Sequence, residues 1–322
     1  MTKIVEITRD ARIDFVKGVC ILLMVWGHLP RLGACHEGLE RVVFWIYTFH
    51  MPVFVLISGY LFGSKTTEIL NVRRVFVRMF KPYFTMSIVT IVLYWAARKF
   101  GLATSVDVHV ESLLDVINRI LHGRGGGALW YLYMVGVMEL LVLASLWICQ
   151  RTRLLSSSVW AVICVVIGVV TNLLQKAGFC IPVQYLPYFL IGYFVRRAGR
   201  ELMSSWLFVL AIPFLVQMID GEISSVVNCL WVMSILGVMM AFAKSMAENG
   251  VCRWISYLGR HTLSVLIFHN IVSVGMRPIS PYILAYENTG IALNIVLLFC
   301  VVSACISVEI ILRKLGIDRI FW

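Results

Sequence analysis

The chain has 322 residues, of which 60% are hydrophobic and 14% charged, with a net charge of +11 and a mean hydropathy of +0.89. Soluble domains carry about 25% charged residues and disordered chains are poor in hydrophobic residues, so both classes are excluded. The nine cysteines contain no CxxC pair, which excludes a zinc ribbon and a disulfide scaffold. The composition predicts a polytopic membrane protein in which residues 1–322 form a single membrane domain.

Apolar segments of the length that crosses a bilayer occur ten times along the chain. We therefore predict an all-α fold with about ten transmembrane helices. The spans lie at about residues 15–32, 42–62, 82–97, 129–149, 158–175, 182–195, 203–219, 226–243, 261–278 and 291–312. The sixth span contains Pro182 and Pro187, which predict a broken or tilted helix.

Lys and Arg are distributed unevenly between the two sets of connections that alternate along these spans. The set that includes both ends of the chain contains 20 of them, and the other set contains 8. Cytoplasmic connections of membrane proteins are enriched in Lys and Arg. The pattern predicts a multi-pass protein of the cell inner (plasma) membrane with both termini in the cytoplasm. It also explains most of the net charge without a nucleic-acid partner, since no basic segment with aromatic residues stands outside the spans.

The longest outer connection, residues 98–128, contains one amphipathic segment. Val110–Leu121 has apolar residues at helical spacing with acidic residues opposite, which predicts a helix lying at the membrane interface. The flexible run Gly123–Gly127 follows it. This helix is either a surface element that only packs or a lid over an outward-facing site.

The first span contains three ionisable residues, which are costly in a membrane and are functional candidates for that reason. Lys17 and His28 are 11 residues apart, so they lie on one helix face about 16 Å apart along the axis. Asp14, three residues before Lys17, lies on nearly the same face. A local ion pair between Asp14 and Lys17, and a purely structural role for His28, are the alternatives to a functional polar stripe.

Three further spans place ionisable residues at a depth similar to that of His28. These residues are His50, next to a Met-Pro step, Glu139 near the middle of the fourth span and His269 in the middle of the ninth. Four such groups at one depth predict a single internal polar cavity. Glu309 is explained by pairing with the nearby Arg313.

Four basic residues fall between the second and third spans, namely Arg73, Arg74, Arg78 and Lys81. Helical spacing would align Arg74, Arg78 and Lys81 on one face. Such a cluster either binds lipid headgroups or holds the phosphates of an anionic cofactor, because guanidinium groups bind phosphate oxygens in pairs.

Five motifs along nearly the whole chain resemble those of the acyltransferase-3 family, whose members are integral-membrane O-acyltransferases acting on sugars of polysaccharides and lipid-linked intermediates. They are Arg12–Gly18 with His28, Phe49–Pro52 with Ser58–Phe62, Arg78–Tyr83, Trp130–Leu132, and Leu258–Leu263 leading to His269. The chain looks most like the single-domain sugar O-acetylase branch of that family. Lysine at position 81, where the family usually has arginine, is a departure that weakens bidentate phosphate binding there.

The resemblance implies acetyl-CoA (or another acyl-CoA) as co-substrate, no bound metal, and a carbohydrate acceptor. It makes His28 the general base for the sugar hydroxyl, with Lys17 as its paired basic residue and Asp14 holding Lys17. His50, Glu139 and His269 would orient the acceptor or stabilise the oxyanion. The CoA phosphates would bind the basic side chains of Arg12, Arg73, Arg74, Arg78 and Lys81.

A multispan transporter is the competing function. The same buried His, Glu and Lys side chains would then form a proton or substrate path. The arginine cluster distinguishes the two functions, because an enzyme that uses CoA needs a phosphate site and a transporter does not.

Overall fold

The computed structural model describes residues 9–29, 37–63, 72–99, 112–152, 156–199, 225–276, 290–317 and residue 319. Within these ranges every regular element is a helix, which agrees with the predicted all-α class. The seventh predicted span, residues 203–219, lies outside the described residues.

Twelve α-helices, numbered here in chain order, make up the described part of the protein. The first six are α1 (Ala11–His28), α2 (Glu37–Gly63), α3 (Val72–Val75), α4 (Lys81–Lys99), α5 (Leu113–Leu121) and α6 (Trp130–Thr152). The others are α7 (Ser156–Lys176), α8 (Leu186–Arg197), α9 (Ser225–Ser245), α10 (Gly250–Arg260), α11 (Thr262–Met276) and α12 (Gly290–Lys314). A π-helix, Phe76–Phe80, joins α3 to α4, and short 3₁₀ turns precede α6 and α8.

Five helical segments in the described residues are long and apolar enough to cross a membrane. They are Val42–Gly63, Val72–Leu93, Gly127–Thr152, Asn228–Ser245 and Asn294–Lys314. Two shorter apolar segments, Ala161–Lys176 and Thr262–Ser273, lie in α7 and α11. The structure therefore supports a membrane protein with five candidate spans, and the count of ten stays a prediction.

The sixth predicted span is broken, as its prolines predict. A 3₁₀ turn, Val183–Tyr185, comes first, and α8 then begins with Pro187 in its first turn and has only 12 residues. Proline suits the first turn of a helix because the amide hydrogen that it lacks would have no partner there.

Glycines allow the closest helix contacts of the bundle. A side chain on Gly59 of α2 would collide with the backbone carbonyl of Phe189 in α8, and one on Gly192 of α8 would collide with that of Leu56. These two helices form the most extensive pair in the described structure. Close backbone contact between small residues is a common way for helices to associate in a membrane.

The same arrangement joins α1 to α10. A side chain on Gly18 would meet the carbonyl of Ile255, and one on Gly259 would meet the carbonyl of Asp14. The first and the last of the sequence motifs are therefore held against each other, backbone to backbone.

The segment Val110–Leu121 forms the helix α5 from Leu113 onward, with Ser112 and Asp115 forming a capping box at its start. Its location at a membrane interface stays a prediction. The glycine run after it is packed rather than free. Gly123 and Gly125 are buried, a side chain at Gly125 would collide with Ser87, and Arg124 donates a hydrogen bond to the carbonyl of Gly178 at 2.9 Å. The run needs glycine because of this crowding and because Gly123 has a φ of 79°.

We expect Gly59→Ala to lower the thermal unfolding midpoint by several degrees, since adding atoms to a packed contact costs about 1–3 kcal/mol. Gly168→Ala in α7 is the matched control, because no atom lies within 4 Å of the added carbon there. The midpoints of the two detergent-purified variants would be compared by thermal size-exclusion chromatography. Equal midpoints would contradict the proposed backbone contact.

Candidate active site

Asp14 is buried near the start of α1 and is surrounded by cations. Arg9 donates two hydrogen bonds to its carboxylate, at 2.6 and 3.1 Å, the Nζ of Lys17 lies 4.0 Å away and the Nε of Arg260 lies 3.7 Å away. The hydrogen bond from Arg9 to Asp14 raises the pKa of the Arg9 guanidinium above its ordinary value. The predicted contact between Asp14 and Lys17 is present, and it is one of three contacts that Asp14 makes with basic side chains.

Arg12 lies at the entry to α1 and not in the interior. Its guanidinium binds the carboxylate of Asp10, with a closest distance of 2.8 Å, while Asp10 also caps the helix by accepting from the backbone amide of Arg12 at 2.9 Å. This position gives Arg12 a local role in starting the helix.

Next to this helix start is a cavity of about 210 Å³, hereafter the charged cavity. Three ionisable side chains line it, Lys17 from α1, Arg78 from the π-helix and Glu139 from α6. Hydroxyl groups are supplied by Ser58 and Tyr131, whose oxygens are 2.6 Å apart. The remaining lining residues are mostly apolar, so the charges face a pocket of low polarity.

Arg78 and Glu139 form a salt bridge across the charged cavity. Glu139 is completely buried, and its carboxylate therefore needs a cation. The Nε of Arg78 is a buried donor with no hydrogen-bond partner among the described residues. The pair thus retains one unused donor in a pocket that an acceptor oxygen could enter.

The four residues of the predicted basic cluster occupy different environments. Arg73 and Arg74 are exposed on α3, Arg78 binds Glu139, and the Nζ of Lys81 donates to the backbone carbonyl of Arg319. The predicted single aligned face is wrong, because the π-helix at Phe76–Phe80 interrupts the α-helical spacing on which it depended.

The structure brings three of the predicted histidines together. The ring centroids of His28 and His269 are 5.2 Å apart. Tyr47 lies between His28 and His50, with centroid distances of 6.4 and 5.0 Å. We call these four rings the histidine cluster. His50 and His269 are at most 1% exposed.

Backbone carbonyls orient two rings of the histidine cluster. The Nδ1 of His50 lies 2.6 Å from the carbonyl of Ile46, and the Nδ1 of His269 lies 2.9 Å from that of Val265. A carbonyl accepts, so each Nδ1 carries the proton and each Nε2 carries a lone pair when the ring is neutral. The Nε2 of His269 is buried and has no hydrogen-bond partner in the described ranges.

The prediction that His28, His50, His269 and Glu139 share one cavity is wrong. Glu139 lies with Arg78 and Lys17 and not among the histidines. The charged cavity ends one helical turn from the histidine cluster. Its lining includes Phe54 and Leu266, which lie four residues after His50 and three before His269. Helix α1 reaches both sites, because Lys17 lines the charged cavity and His28 belongs to the histidine cluster.

Comparison with known proteins gives the family. The acyltransferase domain of the acyltransferase-3 family matches residues 10–313. The chain belongs to this family. No solved structure matches it.

Two curated relatives match shorter stretches. Nodulation protein NolL of Mesorhizobium japonicum is 28% identical over 141 residues, which are 42% of this chain and 35% of that protein. Nodulation protein NolL of Sinorhizobium fredii is 47% identical over 60 residues, 16% of each chain. The matches therefore span about a third and about a sixth of these relatives.

The last part of the acyltransferase-3 domain contains a further polar group, of which the sequence predicted only the pairing of Glu309 with Arg313. Glu309 of α12 binds Arg313 at 2.7 Å, as expected, but it also accepts from the Nδ1 of His261 at 2.9 Å. The sequence placed His261 within a motif without giving it a partner. A buried Glu with a histidine 48 residues away carries no spacing signal that would reveal the contact.

Among the described residues, no group of three His, Cys, Asp or Glu side chains is arranged to hold a metal ion. The predicted metal-free chemistry stays a prediction.

We expect Arg78→Ala to destabilise the protein by about 3 kcal/mol, since removing one partner of a buried ion pair leaves the other charge uncompensated. The double variant Arg78→Ala/Glu139→Gln removes that charge and should recover most of the loss. Arg73→Ala, at an exposed position, is the control and should leave the unfolding midpoint unchanged. A double variant less stable than Arg78→Ala would show that the buried charge is not the cause.

Proposed function

We propose that this protein is a membrane O-acyltransferase that moves an acetyl group from acetyl-CoA to a hydroxyl of a cell-surface polysaccharide or lipid-linked saccharide. The family supports the acyl transfer. The observation that carries the finer proposal is the placement of a cation-lined cavity one helical turn from a cluster of buried histidines. An anionic donor and a base for a hydroxyl are the two requirements of this reaction.

The base is required because a sugar hydroxyl is a weak acid and a poor nucleophile. In the proposed step its oxygen attacks the thioester carbonyl carbon, and its proton passes to the neutral imidazole of His28. The carbon–sulfur bond then breaks, and the proton is returned to the sulfur. The products are the sugar acetate ester and free CoA.

His269 and His50 would support this step from the same cluster. The ring of His269 lies 5.2 Å from that of His28, and its tautomer is fixed by two backbone carbonyls, at 2.9 and 3.0 Å. His50 is fixed in the same way by Ile46. We assign both rings to orienting the acceptor, and Glu139 to holding Arg78.

The acyl end of the donor would enter the charged cavity. Its volume of about 210 Å³ is below the roughly 300–1,000 Å³ of sites for drug-sized ligands, so only the acyl end of the donor would lie inside. The unused Nε of Arg78 and the Nζ of Lys17 would bind acceptor oxygens there. Arg73 and Arg74 are exposed on α3 and would suit the nucleotide phosphates outside the cavity.

Ten spans, an inner-membrane location and two cytoplasmic termini complete the proposal. They are supported by the excess of Lys and Arg in the connections on one side. Reporter fusions at each terminus, with green fluorescent protein active only in the cytoplasm, test this orientation. The family match favours this enzyme over the transporter that the buried charges alone would also allow.

We expect His28→Ala to reduce acetyl transfer by about 100-fold or more, the usual contribution of a general base. The measurement is the transfer of radiolabel from acetyl-CoA into glycan by membranes containing equal amounts of each protein. His122→Ala is the matched control, because that ring stacks on Phe179 outside the cluster and its loss should leave transfer intact. Full activity in His28→Ala would remove His28 from the proposed role.

We expect Arg73→Gln/Arg74→Gln to raise the KM for acetyl-CoA about tenfold with little change in kcat, because exposed cations contribute to donor binding and not to the chemical step. Lys244→Gln/Arg253→Gln, two exposed cations on other helices, controls for general surface charge. An unchanged KM would assign Arg73 and Arg74 to lipid headgroups instead.

A further inference from the structure

A second cavity, of about 340 Å³, lies at the His28 end of α1, and we call it the neutral cavity. It is lined by Tyr47 of α2, Tyr185 and Gln184 of the 3₁₀ turn before α8, Tyr188 of α8, and Asn228 of α9, with Cys229 beside Asn228. None of its described lining residues is charged, in contrast to the charged cavity.

Tyr47 connects the neutral cavity to the histidine cluster. Its ring lines the cavity and is 5.0 Å from the ring of His50 and 6.4 Å from that of His28. The hydroxyl of Tyr47 donates to the carbonyl of Gly27 at 3.4 Å, which holds the ring against the last turn of α1. Tyr47 therefore contacts both a molecule in the neutral cavity and the histidine cluster.

Asn228 carries an unused acceptor in this cavity. Its Nδ2 donates to the hydroxyl of Tyr188 at 2.9 Å, while its Oδ1 is buried with no hydrogen-bond partner among the described residues. A buried amide oxygen without a partner costs free energy in the absence of a ligand. A ligand hydroxyl would satisfy it.

The aromatic rings of the neutral cavity define the rest of the ligand. Tyr185 stacks on Trp130 with a centroid distance of 5.7 Å and an interplanar angle of 21°, so its ring is held in one orientation. Rigid aromatic faces bind apolar C–H surfaces, and a few polar groups around them select hydroxyls. A neutral sugar ring presents both kinds of surface.

We propose that the neutral cavity binds the neutral carbohydrate ring of the acceptor and presents its hydroxyl to the histidine cluster. The proposal rests on the function proposed above and deepens it, since it assigns the acceptor a site whose described lining has no formal charge and shares no residue with the charged cavity. An acidic sugar is disfavoured, because the described lining offers its carboxylate no cation.

Cys229 allows this proposal to be tested without any acyl transfer. It is a free thiol that lines the neutral cavity, whereas the free thiol of Cys164 is exposed on α7, away from it. The detergent-purified full chain would be treated with N-ethylmaleimide, and the alkylation rate at each cysteine would be followed by peptide mass spectrometry. Methyl glycosides of neutral hexoses and deoxyhexoses are the probes, and methyl glucuronide is the anionic comparison.

We expect at least one neutral glycoside, at about twice its Kd, to slow alkylation of Cys229 about threefold by occupancy and to leave Cys164 unchanged. Asn228→Ala should abolish this protection. Gln184→Ala, at an exposed lining side chain, should weaken it and leave the fold intact. Equal protection at Cys164, absence of protection by every neutral glycoside, or full protection in Asn228→Ala would overturn the proposal.

The transfer assay separates this proposal from the function on which it rests. Protection of Cys229 in a protein that transfers no acetyl group would leave a sugar site without the proposed reaction. Transfer without protection would retain the reaction and place the acceptor elsewhere.

Discussion

The arrangement of this protein depends on the need of buried carboxylates for cations. Asp14, Glu139 and Glu309 are at most 4% exposed, and an isolated charge at such positions would be very costly. Each one is paired with a basic side chain from another part of the chain or from the next helical turn. Two of these pairings, to Arg260 and to Arg78, join segments that are far apart in sequence. The need of buried carboxylates for cations therefore favours contact between these segments.

A glycine also makes the contact between Asp14 and Arg260 sterically possible. Arg260 reaches Asp14 because its neighbour Gly259 lies directly against the backbone of α1. The pairing and the close approach reinforce each other, since a larger residue at position 259 would separate the two charges. Two motifs that are about 240 residues apart in the sequence therefore act as one structural unit.

The sequence predicts well those features that depend on residues within one helix. Lys17 and His28 lie on one face of α1 because their spacing and the helical repeat require it. The similar depth of His28 and His269 in the sequence pattern predicts their proximity, and their rings are in contact. The helical class, the break in the sixth span and the helical form of α5 also follow from local patterns.

Contacts between helices were much harder to predict. Arg78, the partner of Glu139, lies in a π-helix that no local sequence pattern predicted. The bond between His261 and Glu309 depended on how two distant helices pack. The neutral cavity has no sequence signature, because tyrosine and asparagine in an apolar chain resemble ordinary interfacial residues.

The straight run of α1 between Lys17 and His28 acts as a spacer of fixed length, about 16 Å along the axis. Under the function proposed above, a donor whose acyl end enters beside Lys17 must carry its carbonyl group across that gap. In an acyl phosphate a single oxygen joins the acyl carbon to the phosphorus, so such a compact donor would fall short. The length of α1 would thereby favour carriers with a long flexible arm.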